Sequence, residues 1–281
     1  MTVGIVGLGL MGGSIAAALK PNHTILAYDI DPRATSLAIE KGIVDRACLV
    51  PADLLGACDV VYFCLYPRAI VEFFAAHAHE IRPGTVCVDI AGVKTAISEG
   101  VLDRVPKDVQ FVFSHPVAGR EKVGVAFADA SIFRGANYIV VPTSDNTPEA
   151  LETVRTLARE MGFSSVTDLT AAEHDAVIAY TSQLTHVIAL AIVDSDDGRF
   201  DTGRFIGDSY RDLTRIAMIN APLWSELFLD NRDNLIDRID AFRASLDEFE
   251  RLLRNDDVVG LEAKMTEAKR RRALLEKGKR P

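Results

Sequence analysis

Basic residues are the minority in this chain: 31 Lys and Arg stand against 40 Asp and Glu in 281 residues, a formal charge of −9. Neutralising a phosphate backbone takes clustered cations, so no nucleic-acid partner is expected. The one dense basic stretch, Arg270-Arg271-Arg272, reads as the solvated last turns of a helix, because acidic residues interleave upstream. Cysteine is scarce. The four present, Cys48, Cys58, Cys64 and Cys87, fall in no metal-ligand or redox spacing, so buried reduced thiols, no metal and a reducing, cytoplasmic compartment are expected. No run of 18 apolar residues exists, and no membrane span is expected. No basic segment precedes an apolar stretch at the start, where Thr2 to Val6 reads directly as a strand, so no signal peptide is expected. Repeats and low-complexity tracts are also missing. What remains is 48% hydrophobic and 25% charged, the balance of a soluble globular protein with a sizeable core. The length suits two domains.

Short apolar runs alternate with helical patterns through residue 168. Candidate strands are Val3–Val6, Ile25–Tyr28, Val60–Leu65, Val86–Ile90, Phe111–Ser114, Tyr138–Val141 and Ser165–Thr167. Several are continuous apolar runs, as in a sheet covered on both faces. Helical patterns such as Gly13–Leu19, Arg33–Lys41, Ala69–Glu80 and Pro148–Met161 lie between them. This order predicts an α/β fold: a Rossmann-type, doubly wound, mostly parallel sheet over residues 1–168. Strand-like runs stop near Leu169. The helical stretches Ala171–Val193, Ser209–Met218, Pro222–Asn255 and Asp257–Lys277 then predict an all-helical second domain, 169–281.

Gly7-Leu8-Gly9-Leu10-Met11-Gly12 is a G-x-G-x-x-G that follows a predicted strand and opens a predicted helix. Gly7 permits the turn, Gly9 lets the backbone approach a pyrophosphate, and Gly12 packs helix on strand. Backbone N–H groups near Leu10 and Met11, at the positive helix end, would hold the phosphates. Asp29 closes the second strand 20 residues past Gly9, where a carboxylate accepts from the ribose hydroxyls. A carboxylate there repels a 2′-phosphate, and Arg33 lies a turn further on, so NAD is favoured over NADP. By topology alone, Cys64-Leu65-Tyr66-Pro67 should border the nicotinamide, with Tyr66 as the candidate contact. His115 sits at the C-terminal end of a predicted strand, where open α/β sheets place their ligands. An ordinary imidazole pKa of roughly 6.5 suits a general base; a strand-end histidine bonded to backbone is the equal alternative.

Five blocks now stand in order: GLGLMGGS at 7–14, DIAGVK at 89–94, SHPVAGRE at 114–121, EHD with SQLTH at 173–175 and 182–186, and YRDLTR at 210–215, with Trp224 beyond. With these the chain resembles the prephenate/arogenate dehydrogenase family of tyrosine biosynthesis, from residue 1 to about 255. The resemblance implies NAD-dependent oxidative decarboxylation of prephenate to 4-hydroxyphenylpyruvate, or of arogenate to tyrosine. Hydride leaves the hydroxyl-bearing ring carbon, His115 takes or polarises the hydroxyl proton, and loss of carbon dioxide makes the ring aromatic. It further implies that Arg215 binds a substrate carboxylate, a task suited to a guanidinium fork, and that Arg211 reaches a neighbouring subunit's site. Ser182, Gln183 and His186 resemble the family's polar pocket residues, Trp224 its pocket wall, and Glu121 the acidic residue at the entrance. The helical domain implies a homodimer.

Two positions depart from the family's pattern. Gly92 stands where relatives often carry a serine that helps orient the histidine, and Gln183 stands where some carry a second histidine. The further regulatory domain of some relatives is not expected, so tyrosine feedback, if any, would act near the active site. Two rivals to this reading follow. A β-hydroxyacid dehydrogenase shares the glycine loop, but resembles a design with a catalytic lysine where the Ala171–Val193 helix has none. A regulatory module that binds NAD without turnover would not need His115, Arg215 and the polar residues of the second domain together.

Overall fold

The computed structural model describes residues 1–277. Its strands are β1 (Thr2–Val6), β2 (Thr24–Tyr28), β3 (Arg46–Ala47), β4 (Val60–Phe63), β5 (Val86–Asp89), β6 (Gln110–Val117), β7 (Asn137–Val141) and β8 (Ser165–Asp168). They form one sheet in the order β3-β2-β1-β4-β5-β6-β7-β8. Every neighbouring pair is parallel except β6 and β7. The expected doubly wound, mostly parallel sheet is therefore present. Two details differ from expectation. β3 has two residues and no apolar run, so periodicity could not reveal it. β6 runs on through Pro116 to Val117, so His115 lies within the strand, paired with Ile139.

Both faces of the sheet are covered, which accounts for the unbroken apolar strands. Side chains alternate along β4: Val60 and Tyr62 join one core, Val61 and Phe63 the other. The first core is closed by α1 (Leu10–Leu19) and α6 (Pro148–Glu160), through Ile15, Leu19, Val154 and Leu157. α2 (Pro32–Glu40) adds Ala38 to the same side. The second core takes Leu54 from α3 (Pro51–Leu55), Phe74 from α4 (Pro67–His77) and Ile97 from α5 (Thr95–Val101). All four cysteines are free; Cys48, Cys58 and Cys87 are buried, and burial pushes the Cys58 thiol up to about 12.

α7 (Ala171–Ile178) starts at a capping box, in which Thr170 and Glu173 satisfy each other's backbone N–H. It continues through a π-helical turn, Ala179–Gln183, into α8 (Leu184–Asp194). By length and composition this 24-residue helix is apolar enough to cross a membrane, with mean hydropathy 1.7 and 28% of the window buried. Counting uninterrupted apolar runs misses it, because Asp175 and a few polar residues break the run without lowering the average much. α9 (Asp208–Thr214), α10 (Ala221–Asp230), α11 (Arg232–Arg254) and α12 (Val258–Lys277) complete the described chain.

The helix expected over Pro222–Asn255 is two helices, parted at Asn231 (φ −124°, ψ 28°). There the buried Asn231 amide donates to the Asp175 carbonyl and to Gln183 Oε1, at 2.8 Å each. Those bonds hold the side chain inward, away from a helical continuation. By compactness the chain divides into Met1–Arg232 and Asp233–Pro281. The helices from α7 to α10 thus belong to the same unit as the sheet, and the residue-168 boundary expected from sequence lies inside that unit.

Candidate active site

β1 delivers the glycine loop to the C-terminal edge of the sheet. Gly7 has φ +93°, and a side chain there would press on the Cys64 carbonyl at 2.6 Å. A methyl group on Gly12 would sit 1.9 Å from the Gly7 carbonyl oxygen, so only glycine lets α1 begin this close to the strand. Gly9 is different: a Cβ there would meet nothing within 4 Å. Its open face points away from protein, and α1 starts from it without a side-chain cap. An uncapped helix N-terminus beside open space is a fitting anion cradle. Asp29 lies at the end of β2, with Oδ2 accepting from Leu8 N–H at 2.6 Å and Oδ1 from Asp31 N–H at 2.8 Å. Arg33 is turned onto Asp31, with Nη2 2.9 Å from its Oδ2. These features fit the adenosine and pyrophosphate of a dinucleotide.

A cavity of about 870 Å³ continues from this loop. Gly9, Leu10, Met11, Gly12, Tyr66, His115, Glu121, Ser182, Gln183, His186 and Trp224 are among the residues that line it. The structure thus brings most of the sequence-predicted candidates to one space. Tyr66 is the N-cap residue of α4, and its hydroxyl accepts from the Asn220 amide at 2.7 Å. Gln183 is buried, donating to the Leu227 carbonyl at 2.8 Å and accepting from Asn231. His186 lies against Trp224, with ring centroids 3.7 Å apart. Its Nδ1 donates to the Ser182 carbonyl at 2.9 Å, leaving Nε2 for the cavity, and burial moves its pKa down.

Gly7, Asp29, Arg211 and Arg215 do not line the cavity. Gly7 and Asp29 shape the loop that does. Arg215 pairs with Glu121 at the cavity rim. Arg211 is exposed and pairs with Asp208 at 3.6 Å on its own helix.

β6 holds His115 facing the cavity. The neighbouring buried groups escaped the sequence reading, although their blocks were conspicuous. His115 Nδ1 lies 2.9 Å from His174 Nε2, and His174 Nδ1 lies 2.8 Å from Asp175 Oδ1. Asp175 also accepts the backbone N–H of Lys94 at 2.8 Å and of Thr95 at 2.9 Å. Lys94 is fully buried; its ammonium donates to Asp89 Oδ2 at 2.5 Å and to the Ala91 carbonyl at 2.8 Å. Asp89 in turn accepts from Ser114 N–H at 3.0 Å, immediately before His115. Burial pushes the His115 pKa well below the ordinary histidine value, and the adjoining His174 ring and the Lys94 ammonium disfavour a second positive charge there as well. Burial also lowers His174, against the opposing pull of Asp175. Burial would raise Asp175, but its bonds from His174 and Thr95 outweigh this and hold it ionised. A histidine kept neutral beside a cofactor cradle can accept a proton while a neighbouring carbon loses hydride.

Comparison with known proteins points to one enzyme family. Residues 15–167 match the family described as prephenate dehydrogenase, nucleotide-binding domain, and residues 170–267 match prephenate dehydrogenase, dimerization domain. The chain is similar to a prephenate dehydrogenase of Bacillus subtilis, with 28% identity over 92% of this chain and 72% of the relative. It is also similar to a cyclohexadienyl dehydrogenase of Zymomonas mobilis, with 29% identity over 91% and 89%. A crystal structure of prephenate dehydrogenase from A. aeolicus in complex with hydroxyphenyl propionate and NAD⁺ superposes with a TM-score of 0.89. That pair shares 28% identity, over 98% of each chain.

Proposed function

The chain belongs to the prephenate dehydrogenase family, and from that premise and the cavity's geometry we propose that it oxidises and decarboxylates prephenate, using NAD⁺ and His115 as base. The observation that carries the reading is His115, held neutral by burial, in the wall of the cavity that starts at the glycine loop. The A. aeolicus relative, solved with NAD⁺ and a hydroxyphenyl acid, supports the same pairing of cofactor and ring substrate.

The open Gly9 face and the N-terminus of α1 would hold the pyrophosphate, and Asp29 the adenosine ribose. Bound NAD⁺ supplies the hydride acceptor. His115 Nε2 takes the ring hydroxyl proton as that carbon is oxidised, and the ring carboxylate then leaves as carbon dioxide. Aromatisation drives the last step, so the protein has mainly to orient and to stabilise charge. Arg215, now paired with Glu121 at the rim, is the cation for a substrate carboxylate. His186, Ser182 and Gln183 form the polar wall, and Trp224 an apolar one. Arg211, paired within its own helix here, is assigned to the neighbouring subunit's site. A homodimer and a cytoplasmic setting are part of the same proposal, supported by the dimerization-domain match and by four free thiols.

Arogenate is the second substrate to weigh, because the Zymomonas relative is named a cyclohexadienyl dehydrogenase. Absorbance at 340 nm with NAD⁺ or NADP⁺ crossed against prephenate or arogenate tests all four combinations. Rapid NADH formation from prephenate is expected. His115→Asn should lower kcat by about 100-fold or more while NAD⁺ binding persists. A base must be neutral, and His115 is shifted down, so kcat/KM should stay flat as pH falls through roughly 6.5 and drop only below it. Silence in all four combinations, with cofactor still bound, would overturn the reading.

A further inference from the structure

We infer that His174 and Asp175 are positioning residues that fix the proton of His115 on Nδ1 and so leave its Nε2 lone pair facing the substrate. The inference rests on the function proposed above and adds to it a fixed hydrogen-bond direction.

The direction follows from what each atom is able to do. Asp175 is held ionised and can only accept. Its Oδ1 lies 2.8 Å from His174 Nδ1, so that nitrogen carries the proton. His174 is held neutral by burial, so its Nε2 is bare and must accept. The atom facing it, at 2.9 Å, is His115 Nδ1, which must therefore donate. His115 is neutral too, so its second nitrogen keeps a free electron pair. One carboxylate thus sets two tautomers in series.

The carboxylate itself cannot turn. Lys94 N–H and Thr95 N–H fix its two oxygens at 2.8 and 2.9 Å, and Asn231 donates to the Asp175 carbonyl. His174 is fully buried, with no solvent to compete for either nitrogen. On the loop before α5, Gly92 has no side chain to offer His115: a Cβ there would lie 3.8 Å from His115 Cε1. When Nε2 takes the substrate proton, the new positive charge faces a neutral acceptor backed by an anion, which steadies it.

Two measurements test this. Long-range ¹H–¹⁵N spectra of histidine-labelled protein, which has six histidines, read each tautomer directly. His115 and His174 should both show a protonated Nδ1 and a bare Nε2. Finding the proton of His115 on Nε2 in active enzyme would overturn the inference but leave the function standing. Inactive wild-type enzyme with the expected tautomers would do the reverse. His174→Leu removes the acceptor and should lower kcat about 100-fold with KM within about twofold. His174→Gln, whose amide oxygen can accept from His115, should recover at least about tenfold of that loss. Full kcat in folded His174→Leu would refute the positioning role. So would equal losses in the two variants with KM raised.

Discussion

A single methyl group separates two roles within the glycine loop. Added at position 12 it meets the Gly7 carbonyl at 1.9 Å; added at position 9 it meets no protein atom within 4 Å. Gly9 has φ −76°, which any L-residue adopts. Gly9→Ala should therefore leave the melting temperature unchanged and weaken NAD⁺ binding at least about tenfold, since the methyl occupies space the pyrophosphate needs. Gly12→Ala should cost about 1–3 kcal/mol of stability, because the helix must shift off the strand. Thermal melts and NAD⁺ titration calorimetry of the two variants distinguish these outcomes; equal loss of stability in both would refute the distinction. The loop was legible in the sequence because its spacing states its geometry. His174 and Asp175 were not, although EHD was conspicuous as a block. Their role depends on meeting His115, 59 residues away, and no local pattern encodes that contact.

At the scale of elements, the loop from β5 to α5 ties the sheet to the helix that closes the cavity. Lys94 reaches back to Asp89 at the end of β5, while its backbone N–H and that of Thr95 hold Asp175 on α7. Both charged side chains of the pair are fully buried. A buried carboxylate that loses its cation is destabilised by the full cost of desolvation. Lys94→Met should then cost about 3–5 kcal/mol in urea denaturation, and the double variant Lys94→Met/Asp89→Asn should recover part of that. A single variant as stable as wild type would mean the pair contributes nothing net. The strands and most helices were readable from apolar runs and caps. The break at Asn231 was not, because asparagine leaves a helix here for two tertiary partners, Asp175 and Gln183. The π-turn over Ala179–Gln183 likewise leaves no mark on composition, yet three cavity residues, Thr181, Ser182 and Gln183, fall within it.

At the scale of the molecule, apolar surface is left uncovered. In the second unit, Leu246 and Leu253 on α11 are 50% and 62% exposed, and Val259 on α12 is 78% exposed. Along α11, Leu235, Ile239, Phe242, Leu246, Phe249 and Leu253 recur at alternating steps of four and three, the spacing of one continuous helical stripe. Its Leu235 end is already buried, while Leu246 and Leu253 stand open, and exposed apolar side chains recurring on one helix face call for a covering surface. The matched dimerization domain, residues 170–267, spans it, so a second copy is the fitting partner. Sedimentation should give a species of twice the 30.6 kDa chain mass. Leu246→Glu with Leu253→Glu should shift it toward monomer, since burying two unpaired charges costs several kcal/mol. If the wild-type chain sediments as a monomer at micromolar concentration, the stripe must have another cover. If instead the double variant dissociates but keeps full turnover, each subunit's site is complete without its neighbour, and Arg211 has no role across the interface.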